Sequence, residues 1–211
     1  MKNKIANIIT ALSLIGIFTL SVFLYKGITW GRIVDKLTFV TYGSRATEGC
    51  DHDHVLKGDR CPSVLMACAL IKEYEGFRED VYICPAGKRT VGYGFTDKLS
   101  LMKAPMSRED AEHILVAKVA DIQCKILRDF EIFGCSREIS DCELAAFSCL
   151  VYNIGWVNWK ASTIRNNWVY NKSKSEVSGE FSKWVYSKKR VLRGLVRRRE
   201  AETNLFLSAG K

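Results

Sequence analysis

The sequence has few of the features that mark metal clusters, repeats or disorder. It contains only three histidines and no Cys-x-x-Cys pair, which disfavours a structural zinc site. No internal repeat or low-complexity tract is visible in its 211 residues. Hydrophobic residues make up 47% and charged residues 26%, which excludes a disordered or collagen-like chain. The length allows one substantial core and an appendage rather than two full domains.

Charge and cysteine content limit the binding partners and the redox compartment that we expect for the protein. The chain has 32 Lys and Arg against 23 Asp and Glu, a net charge of +9, and such a surface attracts nucleic acid, anionic lipid or a bacterial cell wall. Eight cysteines indicate metal or redox chemistry in a reducing cytosol and disulfides in an oxidising compartment. Because zinc-type spacings are missing, the oxidising compartment is the better interpretation.

An apolar segment near the N-terminus predicts a membrane span. Residues 5–25 contain no Asp, Glu, Lys or Arg and follow Lys2 and Lys4. As a helix they would cover about 31 Å, the thickness of a bilayer's hydrocarbon core. A cleaved signal peptide would end in a small-residue cleavage site, which Phe23 to Lys26 does not offer, and a buried core helix would have a polar face. We therefore predict an uncleaved signal-anchor over residues 1–26.

The next segment, residues 27–61, reads as a connector. Lys26, Arg32 and Lys36 weaken the charge bias that would orient the span, but every cysteine lies downstream of it, which favours a C-terminal body outside the cytosol. The run from Cys50 to His54 resembles a metal site at first sight. A disulfide between Cys50 and Cys61 is the preferred interpretation.

Residues 62–211 predict one small, mostly helical α+β domain with a β-hairpin lobe. A helix should begin near Pro62, which suits a first helical turn, and end near Gly76. A hairpin should follow over residues 81–94 and only helices after that. Ser107 and Ser140 each open a capping-box pattern, and the helix after Ser140 is apolar enough to be central. A last helix should cover about residues 188–207.

Three polar residues in this region could meet around one cleft. Glu75 ends the first helix and faces the hairpin, whose successive strands carry Cys84 and Thr90. A partly desolvated glutamic acid at a helix end can protonate a leaving oxygen. Glycosidic bonds need such an acid and a second group opposite it that holds water or attacks the sugar. From the spacing alone, the commoner interpretation is that Glu75, Cys84 and Thr90 are a surface, a core and a turn residue, respectively.

A family resemblance changes that balance. Glu75, Cys84 and Thr90, separated by eight and five residues, resemble the Glu-8-Asp/Cys-5-Thr triad of the phage lysozymes of glycoside hydrolase family 24. The family's flanking and downstream motifs are matched in order by residues 75–78, 90–96, 145–155, 161–163 and 194–202. Phe95 departs from the pattern, since the family usually has His there. The matches extend over nearly everything from Leu65 to Leu207.

The resemblance implies a function and a location. It implies an endo-acting muramidase that cuts β-1,4 bonds between N-acetylmuramic acid and N-acetylglucosamine in peptidoglycan, without cofactor or metal. Glu75 would be the general acid, Cys84 would take the water-positioning or nucleophilic position, and Thr90 would support that water. Relatives with a signal-anchor imply a phage or prophage enzyme, held in the bacterial inner membrane through residues 5–25 with its catalytic domain in the periplasm. We expect a monomer. The alternative is a membrane-tethered, non-catalytic wall-binding protein of the same fold.

The resemblance also suggests how activity could be withheld. Some relatives hold a catalytic Cys in a disulfide until thiol-disulfide exchange releases it. We hypothesise that another cysteine cages Cys84 before activation; Cys68, about two helical turns before Glu75, is the nearest in sequence. Three structural disulfides with two free thiols fit the count of eight equally well.

Two further groups of residues have competing interpretations. The basic run formed by Lys188, Lys189, Arg190, Arg193, Arg197, Arg198 and Arg199 accompanies no nucleic-acid motif. We therefore expect no nucleic-acid partner and interpret the run as a solvated face that also favours the anionic cell wall. Trp156, Trp159 and Trp168 are core or cleft-edge candidates, and sugar stacking by one of them stays open.

Overall fold

Helices of 4 to 25 residues and two antiparallel hairpins form the part of the chain that the structure describes. This computed structural model describes residues 61–84, 87–187 and 189–208. In chain order the elements are α1 (Pro62–Glu75), β1 (Arg78–Ile83), β2 (Arg89–Gly92), α2 (Lys98–Leu101), α3 (Arg108–Ile132), α4 (Asp141–Ile154), α5 (Trp156–Lys160), α6 (Thr163–Val169), α7 (Lys174–Gly179), a 3-10 turn (Phe181–Lys183), β3 (Tyr186–Ser187), β4 (Arg190–Val191) and α8 (Arg193–Leu207). The predicted mostly helical α+β class is confirmed.

Local signals account for where the longer helices begin. Pro62 occupies the first position of α1, as predicted. Ser140 and Glu143 form a full capping box at α4, in which each side chain accepts a hydrogen bond from the other residue's backbone N–H. Ser107 caps α3 only by accepting from the backbone N–H of Asp110. The shorter Asp110 carboxylate accepts from the Ser107 hydroxyl at 2.7 Å and does not complete the box.

Helix α4 is the central element of the described core. It packs against α1, α3 and α8. One apolar cluster joins α1, the hairpin and α3 to Ala145 and Cys149 of α4. A second cluster, rich in aromatic rings, surrounds Phe147 and Leu150 on the rest of the helix. The prediction that the apolar segment after Ser140 is central is therefore confirmed.

The first hairpin ends in a tight return turn that points back at α1. β1 and β2 pair antiparallel, with Tyr82 opposite Thr90. Beyond β2, Val91 and Phe95 exchange both backbone hydrogen bonds, at 3.0 and 2.9 Å. The chain reverses between them through Gly92 and Gly94, whose positive φ angles of 63° and 88° favour glycine.

The C-terminal prediction is wrong in one respect. A second hairpin, β3–β4, stands where only helix was expected, and α8 begins at Arg193 rather than near residue 188. Lys189 in its turn has a φ of 64° without being Gly, Asn or Asp. The usual sequence signature of a hairpin turn is therefore missing, and the predicted last helix begins too early in the sequence.

Several N-terminal predictions lie outside the described residues. They are the signal-anchor over residues 1–26, the connector up to residue 60, and the pairing of Cys50 with Cys61. Within the described ranges, no helix is long and apolar enough to cross a bilayer.

Candidate active site

Glu75 is fixed at the point where α1 meets the hairpin. The helix ends there because Gly76 takes a φ of 66° while its N–H still donates to the Lys72 carbonyl. The Glu75 side chain keeps 24% of its surface exposed. The return turn of the hairpin packs against it, since a Cβ on Gly94 would lie 3.1 Å from Glu75 Oε2. The residue predicted as the acid is thus half-enclosed and still reachable from solvent.

A buried arginine from the last helix holds the Glu75 carboxylate. Arg198 Nη1 donates to Glu75 Oε1 at 2.6 Å, and the Arg198 side chain is only 5% exposed. The same guanidinium donates from Nε to Glu202 Oε1 at 3.2 Å and from Nη2 to the Cys149 carbonyl at 3.5 Å. Burial acts to lower the pKa of Arg198, but the charges of Glu75 and Glu202 outweigh it and raise that pKa. Arg198 is therefore a fixed cation at the site.

Cys84 and Thr90 meet at one backbone carbonyl in the hairpin. The Lys88 carbonyl accepts the Cys84 N–H at 2.9 Å and the Thr90 hydroxyl at 3.1 Å. Thr90 is buried and Cys84 is half-buried. The two residues predicted for the second half of the site are thus brought together by the turn that connects β1 and β2.

Tyr82 lies on β1 opposite Thr90 of β2. Burial first, and then the charges of Glu75 and Cys84, raise the pKa of the Tyr82 hydroxyl above its ordinary value. The end of α1 supplies the acid and the first hairpin supplies the thiol, and the return turn after β2 packs against Glu75.

The described cysteines are not cross-linked to one another. No disulfide joins any two cysteines within residues 61–84, 87–187 and 189–208. Cys68, suggested as the nearest cage for Cys84, is buried in the core between α1 and its neighbours. Burial raises the pKa of its thiol to about 12, which disfavours the thiolate that disulfide exchange requires. Caging of Cys84 stays a prediction.

The interpretation of the basic run as a solvated face is wrong for two of its members. Arg198 and Arg199 are 4% and 1% exposed, and both donate to the fully buried Glu202. Arg198 is the site residue that the sequence reasoning missed. A signal was present, because Arg198, Glu202 and Phe206 are spaced by four and so share one helix face.

Two of the three tryptophan candidates are core residues, while Trp156 is only partly buried against the same cluster. Trp159 and Trp168 are fully buried, each with its ring centroid 5.1 Å from that of Phe147, so neither offers a face to a sugar. Phe95, where the family usually has His, is 2% exposed and packs edge-on to Tyr93. The substitution thus places an apolar ring in the core beneath the return turn.

Comparisons with known proteins agree with this geometry. The family model of phage lysozymes matches residues 72–202. The endolysin of Acyrthosiphon pisum secondary endosymbiont phage 1 is 34% identical over 144 residues, which cover 66% of this chain and 94% of that protein.

Solved structures share the fold. The active form of P1 phage endolysin Lyz superposes with a TM-score of 0.59 at 21% identity, covering 72% of this chain and 89% of that one. The muramidase domain of SpmX from Asticaccaulis excentricus gives a TM-score of 0.57 at 24% identity, covering 67% and 94%. The mostly helical body with its hairpin is therefore lysozyme-like, and the match to the family model over residues 72–202 shows that the chain belongs to the phage lysozyme family.

Proposed function

We propose that this chain is an endolysin that cuts β-1,4 bonds between N-acetylmuramic acid and N-acetylglucosamine in peptidoglycan and so lyses a bacterial host. The chain belongs to a family of glycoside hydrolases. Our proposal goes beyond family membership by assigning roles to the site residues. The observation that carries it is a partly exposed carboxyl group, Glu75, which Arg198 holds and which packs against the return turn that follows the hairpin of Cys84 and Thr90. No cofactor or metal enters the proposed chemistry.

Glu75 acts as the general acid in this proposal. Its carboxyl group protonates the glycosidic oxygen as the bond to the sugar breaks, which removes the need to expel an alkoxide. Arg198 fixes one carboxylate oxygen at 2.6 Å, and Gly94 leaves room beside the other. A carboxyl group with one oxygen fixed is arranged for directed proton transfer from the other.

Cys84 occupies the opposite position, where the reaction needs a group that holds water or attacks the sugar. Thr90 is tied to the same Lys88 carbonyl as the Cys84 backbone, so the two are positioned as one unit. Thr90 supports the water in this proposal. The stereochemical outcome follows from which of the two roles Cys84 takes.

We also propose the domain organisation and location that the sequence predicts. Residues 1–26 form the signal-anchor in the inner membrane, residues 27–61 the connector, and residues 62–211 the catalytic domain, a monomer in the periplasm. The apolar run over residues 5–25 and the downstream cysteines support this arrangement. The non-catalytic alternative is not favoured, because family membership and a solvent-reachable Glu75 both fit an enzyme.

The test is turbidity loss of Gram-negative cells with a permeabilised outer membrane, using the full chain in mild detergent with and without reductant. We expect clearing by the native chain and by Glu73→Gln, and none by Glu75→Gln. Glu73 is an exposed residue of the same helix, so this control changes the same charge two positions away.

The outcomes of the turbidity test distinguish the proposed acid, the wall-binding alternative and the caging of Cys84. Equal clearing by Glu75→Gln and the native chain would refute the proposed acid. No clearing by a folded native chain under any redox condition would favour the wall-binding alternative. A requirement for reductant would support the caging of Cys84.

A further inference from the structure

Behind the site, two carboxylates share one buried guanidinium. Arg198 donates to Glu75 at 2.6 Å and to Glu202 at 3.2 Å, and Arg199 Nη2 donates to the same Glu202 oxygen at 2.7 Å. The Glu202 side chain is fully buried, so it cannot touch a polymeric substrate. Arg198 connects it to Glu75, because this guanidinium binds both carboxylates.

The charge balance of this group depends on whether Glu75 carries its proton. With both carboxylates ionised, two cations face two anions. A general acid must be protonated before it reacts, and protonation of Glu75 removes one of the two anions. Glu202 then remains as the counter-charge, so the buried Arg198 is not left without an anion, which would be strongly destabilising.

We propose that Glu202 is a positioning residue that keeps Arg198 from holding Glu75 in its ionised form, and so allows Glu75 to carry the proton that catalysis uses. This inference rests on the proposed function, in which Glu75 is the general acid. Without the Glu202 charge, Glu75 would be the only carboxylate bound to Arg198 among the described residues. Arg198 would then favour the ionised, inactive form of the acid.

The other groups near Glu202 do not change charge around neutral pH. Arg198 and Arg199 face it from α8, Tyr74 from α1 and Cys149 from α4. Burial raises the pKa of the Tyr74 hydroxyl and of the Cys149 thiol, so both stay neutral there. Burial also raises the pKa of Glu202 to about 7, against the opposing charges of Arg199 and Arg198. Glu202 is therefore the member of this group whose charge varies near neutrality.

The test compares pH profiles of kcat/KM for the full-length native chain, Glu202→Gln, Glu202→Asp and Glu200→Gln. Glu200 is exposed on the same helix and supplies the matched charge control. The alkaline limb is the pH range in which kcat/KM falls as the pH rises. We expect Glu202→Gln to shift this limb to lower pH by about half to one unit, so that kcat/KM at higher pH is roughly three- to tenfold below that of the native chain. At acid pH the rates should be near native. Glu202→Asp, which keeps the charge, should restore the native limb. Glu200→Gln should leave the limb unchanged.

If folded Glu202→Gln loses kcat/KM over the same alkaline pH range as the native chain, the inference is wrong. Full activity of Glu75→Gln would instead refute the proposed function. If Glu202→Gln does not fold, carbon NMR of the native chain decides. The Glu75 carboxyl signal, assigned by its loss in Glu75→Gln, should shift as Glu202 titrates near pH 7. No shift through that range would equally overturn the inference.

Discussion

At the residue scale, the site depends on two close approaches to Glu75, one by a cation and one by a glycine. Arg198 contacts one carboxylate oxygen, and Gly94 leaves room for the other. The sequence predicted the approach of Gly94 only as part of a motif, and it indicated the burial of Arg198 only through the spacing of Arg198, Glu202 and Phe206. Arginine is usually solvated, and residue type alone gave no reason to place one of seven neighbouring cations inside the fold.

Replacing Gly94 with Ala should impair catalysis through Glu75. The added Cβ would lie 3.1 Å from Oε2, and the φ of 88° would be strained for alanine. We expect kcat to fall by about an order of magnitude or more, since small displacements of a catalytic group are costly. Gly134→Ala is the control, because its φ of 65° also strains an alanine there while nothing lies within 4 Å of the added Cβ. Equal losses of kcat in the two variants would attribute the effect to backbone strain.

Asp97 should give the fold a pH-dependent contribution. It caps α2 and accepts a hydrogen bond from Lys118 at 2.6 Å. Burial opposes its ionisation, but the bonds from Lys118 and Ser100 outweigh burial and lower the pKa of its carboxyl to about 2. A lowered folded-state pKa stabilises the fold above the ordinary value of about 3.9, and this contribution is lost as pH falls through about 2.

Urea unfolding between pH 2 and 6 measures this contribution. The unfolding free energy of the native chain should exceed that of Asp97→Asn above about pH 4, and the difference should shrink towards pH 2. Lys118→Gln should remove much of the same pH-dependent difference. A gap between the native chain and Asp97→Asn that is constant across the range would contradict this assignment.

At the element scale, the second hairpin belongs to a basic stretch of sequence without acidic residues. Residues 181–199 contain no Asp or Glu, and Lys189, Arg190 and Arg193 are exposed. Tyr186 and Val191 pair across the strands and are 63% and 53% exposed. Sequence patterns predicted the charge of this segment but not its shape, because its turn uses Lys189 where glycine or asparagine is usual.

Removing two of these cations should weaken attachment to the cell wall. We expect Arg190→Gln with Arg193→Gln to lower binding of the full chain to purified peptidoglycan sacculi by roughly three- to tenfold at low salt. The difference should vanish at high salt, since exposed charges are screened. Lys160→Gln with Lys172→Gln removes two exposed cations elsewhere and should have a smaller effect. Equal losses from both pairs would show that net charge, rather than the hairpin, governs binding.

At the scale of the whole molecule, α4 joins the two apolar clusters. Ala145 and Cys149 belong to the cluster beside α1, while Phe147 and Leu150 belong to the aromatic one. The apolar run and its capping box made this helix predictable. The pairwise packing of its neighbours was not, because it depends on contacts between residues that lie far apart in sequence.

Truncating Phe147 should therefore destabilise the described body as a unit. Its ring contacts those of Phe130, Trp159, Trp168, Phe181 and Phe206. We expect Phe147→Ala to lower the unfolding free energy by about 3–5 kcal/mol. Urea unfolding followed by tryptophan fluorescence and by circular dichroism should still show one coincident transition. Leu65→Ala, at a side chain that is 48% exposed, is the control and should cost much less. Two separate transitions in the variant would contradict a shared core.

The pairing of Glu75 with Arg198 also has a consequence for synthesis. The two residues are 123 positions apart, and Arg198 lies in the last described helix. A ribosome therefore completes Glu75 and the whole hairpin long before it supplies the partner of Glu75. A nascent chain, or one cut short by a premature stop codon before α8, would carry the acid without the residue that holds it. We therefore expect the complete site, with Glu75 held by Arg198, to form only after the final stretch of translation.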